Sequence, residues 1–112
     1  MAKFKFAEWL MVWLLDSDGF EFEWDSGNRT KNAKKHGVST GEIEEVFTAG
    51  PAAPLGVQVS PPAPEERMGV VGATAAGRVL HVVFTIRKGR VRPISARPAE
   101  KNEREIYEAW VH

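Results

Sequence analysis

No cysteine occurs among the 112 residues, so the chain holds neither a disulfide framework nor a thiolate zinc site. That composition suits a reducing compartment, and a cytoplasmic location is expected. Long hydrophobic runs are missing too. The most apolar stretch, residues 7–15 (AEWLMVWLL), falls far short of the roughly 20 residues that a spanning helix requires. Glu8 interrupts its start, and Asp16-Ser17-Asp18-Gly19 is no small-residue cleavage site, so the stretch reads as a short helix and not as a membrane span or signal peptide. Several enzyme motifs are also absent: a glycine-rich phosphate loop, a Gly-x-Ser-x-Gly elbow and a His-Glu-x-x-His pair. His36, His81 and His112 are scattered, and a lone histidine on a strand is more often a packing residue than a ligand. Neither a metal nor a cofactor is expected.

A hydrophobic content of 43% in a chain of this length supports one modest core, which predicts a single domain over residues 1–112. Formal charge is zero, but it is unevenly spread. Residues 1–66 carry 6 basic against 11 acidic side chains, and residues 67–112 carry 9 basic against 4 acidic. A segregated basic half can attract a polyanion, because local potential and not net charge sets that attraction.

Residues 79–97 (VLHVVFTIRKGRVRPISAR) organise the rest: two apolar runs flank the turn Lys88-Gly89 and predict a central β-hairpin. Leu80, Val82, Phe84 and Ile86 alternate with a mixed face of His81, Thr85 and Arg87. In the second run Ile94 and Ala96 are the best core residues. A two-residue turn pairing Arg87 with Arg90 would put Ile94 on the wrong face, so a longer loop or a bulge beside Gly89 is expected. Ser95 and Arg97 then join the mixed face, a polar floor for an anionic ligand.

Elsewhere, Phe20, Phe22 and Trp24 alternate with Glu21, Glu23 and Asp25, which predicts an acidic edge strand. Asp25 or Ser26 can cap a helix running to His36, where Gly37 ends it. This helix is basic, with Lys31, Lys34 and Lys35, and is either solvated, its basic end suiting the helix dipole, or turned toward a nucleic acid. Ser39 and Glu42 have capping-box spacing before Ile43, Val46 and Phe47. Residues 50–64 hold five of the seven prolines and no charge, which predicts a loop with at most a short edge pairing at Val57 to Val59. A strand over 66–73 and a C-terminal helix presenting Glu103, Ile106, Tyr107 and Trp110 complete the pattern. Trp9, Val12 and Trp13 give the first helix more apolar surface than so small a core should cover, so an interface is expected there, by self-association first and with a different protein second, against the alternative that the helix folds back over the sheet. Arginine forks match phosphate oxygens, and Arg, Lys, His and Tyr together supply the charge and proton transfer that RNA cleavage needs.

The signatures Phe-Glu-Trp-Asp at 22–25, Lys-His-Gly-Val at 35–38, Val-Phe-Thr-x-Arg at 83–87 and Ile-Ser-Ala-Arg at 94–97, in this order, resemble the BrnT family of type II toxins. The resemblance runs from Phe22 to Tyr107 and implies an α+β fold of RelE type, a twisted antiparallel sheet packed against helices. Residues 1–19 would then be a helical addition to a toxin-like body over 20–112. It also implies a metal-independent endoribonuclease that inhibits translation, and a BrnA-type antitoxin with a ribbon-helix-helix part through which the complex meets operator DNA. The alternative is an inactive toxin-like module that binds the antitoxin and takes part in operon control. Carried onto this chain, the candidate catalytic residues are His36, Arg67, Arg87, Arg97 and Tyr107, with Thr85, Ser95 and the lysines toward RNA. The proline-rich loop before Glu66, Pro93 within a strand and the N-terminal helix depart from the family's pattern.

Overall fold

The computed structural model describes residues 2–112, and residues 79–97 form the expected hairpin. Its strands, β4 (Val79–Arg87) and β5 (Arg90–Pro98), meet at Lys88-Gly89. Both turn residues are left-handed, with φ of 52° and 78°, as a two-residue type I′ turn requires, and Arg87 pairs with Arg90 across it. The bulge that reconciles turn and core lies further along, not beside Gly89. Val83 pairs with Ser95 and Phe84 with Pro93, which leaves Ile94 as the extra residue. Ile94, expected in the core, is therefore only half-buried, while Val91 and Pro93 take the buried positions opposite Ile86 and Phe84. Ser95 and Arg97 return to the face of His81, Thr85 and Arg87, as expected.

Three further strands, β1 (Lys3–Lys5), β2 (Ala53–Ser60) and β3 (Met68–Ala73), complete a five-stranded antiparallel sheet in the order β1-β2-β3-β4-β5. The fold is α+β. β2 overturns the loop expected over 50–64. Pro51, Pro61, Pro62 and Pro64 bracket the strand, and Pro54 falls where its register with β3 shifts, so none removes a ladder hydrogen bond from a regular stretch. Gly56, at φ 131°, lets β1 close in: a Cβ there would overlap the Lys5 carbonyl group.

Four helices pack around the sheet: α1 (Glu8–Asp16), α2 (Lys31–His36), α3 (Thr40–Thr48) and α4 (Lys101–Val111). The α3 capping box forms as expected, with the Ser39 hydroxyl accepting from the Glu42 amide at 3.1 Å and the Glu42 carboxylate accepting from the Ser39 amide at 3.0 Å. Gly37, at φ 65°, ends α2. That helix is shorter than expected because side chains hold the preceding residues in a turn. The Asp25 carboxylate accepts from the Gly27 amide, and the Asn28 side chain accepts from the Asp25 amide, each at 2.8 Å.

The core lies on the face of Leu80, Val82 and Phe84, where Ile43, Val46 and Phe47 of α3 close over Met68, Val70, Val91 and Ala96. α1 packs there as well. Leu10 is fully buried, and the Trp13 ring stacks 6.0 Å from Phe84 and meets Phe20 edge-on at 5.4 Å. Trp13, expected at an interface, is thus turned inward, because a core this small gains from each large ring it covers. Trp9 and Val12 remain 44% and 42% exposed.

Candidate functional site

The mixed face of the hairpin is a ladder of opposed pairs: Arg87 with Arg90, Thr85 with Arg92, Val83 with Ser95 and His81 with Arg97. Arg67, one residue before β3, alternates from buried Met68 onto this face. Sequence reasoning missed Arg92, whose side chain, 13% exposed, is the least exposed of the arginine row paired with carboxylates.

Carboxylates answer these arginines. Arg87 grips Glu65 with two nitrogens, its Nε at 2.9 Å, and reaches Glu23 Oε1 at 3.3 Å. Arg92 Nη1 meets that same Glu23 oxygen at 3.1 Å, and both of its terminal nitrogens donate to Asp25 at 2.9 and 3.2 Å. Arg90 reaches Glu21 at 3.2 Å. The expected acidic edge strand is the source of this charge, though it forms only one parallel bridge, Phe22 to Val91. Two backbone hydrogen bonds of 2.8 Å tie Glu21 and Glu23 to Val91, which brings their side chains beside the β5 arginines. The Arg92 fork holds the Asp25 carboxyl below the ordinary carboxylate range, and the Arg87 fork does the same for Glu65.

At the other end of the ladder, α4 lies against Arg97. Its two terminal nitrogens donate to Glu103 at 2.8 and 2.9 Å, and Glu103 Oε2 stands 3.9 Å from His81 Nδ1. His81 is 5% exposed, with the Phe4 ring edge-on at 5.7 Å. Burial, with Arg97 adding to it and Glu103 opposing it, pushes the imidazole down to about 4. Burial also acts on Glu103 and raises its carboxyl, but the Arg97 fork and the Glu100 amide outweigh it and leave the group below its ordinary value. These residues line a cavity of about 320 Å³ with Phe4, Leu55 and Ile106. Tyr107 is half-buried on α4 and its hydroxyl makes no hydrogen bond among the described residues.

Along the outer edge of β5, α2 carries Lys31, Lys34 and Lys35, all exposed and outside every ion pair among the described residues, and half-buried His36. Two buried asparagines dock this segment. Asn28 donates to the Glu23 and Pro93 carbonyls at 3.0 and 3.1 Å, and Asn32 accepts from the Ala96 amide at 3.0 Å. Side-chain amides here do the work of a neighbouring strand. Nothing in the sequence marked these residues beyond a helix with too little apolar surface to be held any other way.

The model of the family described as "Ribonuclease toxin, BrnT, of type II toxin-antitoxin system" matches residues 24–103. The chain belongs to this family. No curated protein matches it significantly. The BrnT match takes in α2, α3, β2 to β5 and the start of α4, including Arg67, Arg87, Arg92, Arg97 and Glu103, while β1 and α1 precede it and Tyr107 follows it. The five residues carried over from the BrnT resemblance do not converge on one point. Arg67 and Arg87 both act on Glu65 near the hairpin turn, Arg97 lies at the far end of the ladder under α4, and His36 ends α2.

Proposed function

We propose that this BrnT chain is a metal-independent endoribonuclease of the cytoplasm that inhibits translation by cutting RNA and is neutralised by a BrnA-type antitoxin. What supports this reading is the arginine ladder, carried by a chain of a ribonuclease toxin family. Arg87 and Arg92 share one oxygen of Glu23, so their forks stand side by side, and Arg67 approaches from the neighbouring strand. A phosphate held among them would have its developing negative charge stabilised as the 2′-hydroxyl attacks. The new bond is O2′–P and the broken bond is P–O5′; the 2′ proton passes to a base and the departing 5′ oxygen takes one up. His36, Tyr107 and Arg97 stand away from these forks, at the end of α2, on α4 and at the far end of the ladder, and are proposed to contact the RNA to either side of this phosphate. Thr85 and Ser95 belong to the floor, and Lys31, Lys34 and Lys35 contact flanking phosphates. The whole chain is proposed to act as one domain, with operator DNA reached only through the ribbon-helix-helix antitoxin.

A second reading has its own support: Arg87, Arg90, Arg92 and Arg97 are all already paired with carboxylates. An interaction module that binds its antitoxin without cutting RNA fits that neutralised row. RNA binding separates the two. Arg87→Ala and Arg92→Ala should each lower the log-log salt slope of single-stranded RNA affinity by about 0.7, one phosphate contact apiece. Unchanged slopes in both variants would remove the ladder from the RNA face.

A further inference from the structure

We infer that the Trp9 end of α1 is a docking site for the antitoxin, with a pocket that takes one of the antitoxin's arginine side chains. The inference rests on the chain's membership of a toxin–antitoxin family and not on its nuclease activity. A cavity of about 420 Å³ opens between α1, the loop before β3 and the ends of β3 and β4, lined by Trp9, Glu65, Glu66, Met68, Thr85 and Ile86. Met68 and Ile86 give it an apolar side, the exposed Trp9 indole gives it an aromatic wall, and its only ionised groups are two carboxylates. Glu65 is occupied by Arg87. Glu66 makes no ion pair among the described residues, and its backbone is held at the pocket by the Thr85 hydroxyl, which donates to the Glu66 carbonyl at 2.9 Å. A flat cation suits such walls: a guanidinium stacks on an indole while its fork donates to a carboxylate. A phosphate finds no cationic side chain among the residues that line it.

The surface beside the pocket supports a protein occupant. Val12 and Leu15, 42% and 63% exposed, continue from Trp9 along α1, and Phe6 flanks it at 55%. α1 itself carries Glu8 and Asp16 and no basic residue. In a two-fold dimer through this helix, acidic groups of the strip would face their own copies, which disfavours self-association. The charge therefore selects a basic amphipathic segment, its apolar stripe on Val12 and Leu15 and one arginine beside Trp9.

The test is heteronuclear NMR of the full chain, following the Trp9 indole N–H during titration with N-acetyl-arginine amide. A saturable shift is expected, absent with the uncharged citrulline analogue. Glu66→Gln should weaken it about tenfold, the scale of one charge-assisted contact, and because Glu66 is exposed the variant keeps its fold. No response to the arginine amide overturns the pocket, as does a shift produced by guanosine monophosphate alone, which would make it a nucleobase site. A Trp9 shift that depends only on protein concentration would point to a second copy and overturn the proposed occupant. Purified product of the adjacent reading frame is the second probe: it should perturb Trp9 and compete with the arginine amide. If it binds without touching Trp9, the antitoxin docks elsewhere. If it does not bind while the arginine amide does, the toxin–antitoxin pairing fails and the pocket stands without its occupant.

Discussion

Arg97 and Glu103 meet through two hydrogen bonds of 2.8 and 2.9 Å, and this fork ties the last strand of the sheet to the C-terminal helix. Glu103 is only 9% exposed and also accepts from the Glu100 amide, closing the α4 capping box. Arg97→Ala should therefore cost about 1–3 kcal/mol by leaving a largely buried carboxylate without its partner. Urea denaturation measures this loss, and Arg97→Lys should recover part of it. Unchanged denaturation midpoints for the alanine variant would show that this fork does not hold α4 to the sheet.

His81 gives the fold an acid-side dependence. Its folded value of about 4 lies below the ordinary 6.5, so below pH 6.5 the unfolded chain takes up a proton that the folded chain refuses. Its contribution is complete above pH 6.5 and is lost as pH falls toward 4, with a slope of at most about 1.4 kcal/mol per pH unit. Glu103, held below its ordinary 4.5, adds a loss only at lower pH. Denaturation of His81→Leu between pH 7 and 5 should be flatter than that of the wild type, and equal slopes would show that His81 does not titrate with folding.

Asn32 holds α2 to the β5 edge through the Ala96 amide at 3.0 Å. Asn32→Ala should cost about 1 kcal/mol, because the Ala96 amide loses its acceptor while the Asn32 Nδ2, buried without a partner among the described residues, is removed with it. Hydrogen exchange at the Ala96 amide should accelerate beyond what global destabilisation explains. Unaltered protection there would mean that the side chain does not carry the edge.

Much of this fold could be read in the sequence because period and capping are local signals. The β4 alternation, the Ser39–Glu42 capping box and the Gly37 helix end all appear where expected. The need for a bulge was legible too; its place at Ile94 was not, since the type I′ turn is satisfied by Lys88 and Gly89 alone and the shift depends on packing against Phe84. β2 was hidden by prolines that bracket it, and β1 by its shortness. At the candidate site the arginines of the mixed face were visible, but not their partners. Glu23 and Asp25 reach Arg92 from 69 and 67 residues away, which no spacing rule connects, and Glu103 meets Arg97 only because the chain turns from β5 straight into α4.

The most direct measurement is cleavage of single-stranded RNA by the purified protein in excess EDTA, with analysis of the fragment ends. Metal-independent attack by the 2′-hydroxyl on its own phosphate should leave 2′,3′-cyclic phosphate and 5′-hydroxyl ends, and the Arg87→Ala/Arg92→Ala double variant should lose at least about 100-fold in rate if both forks stabilise the developing charge. RNA left intact at stoichiometric protein, or cleavage that stops with chelation and returns with added divalent metal, would contradict a metal-independent nuclease.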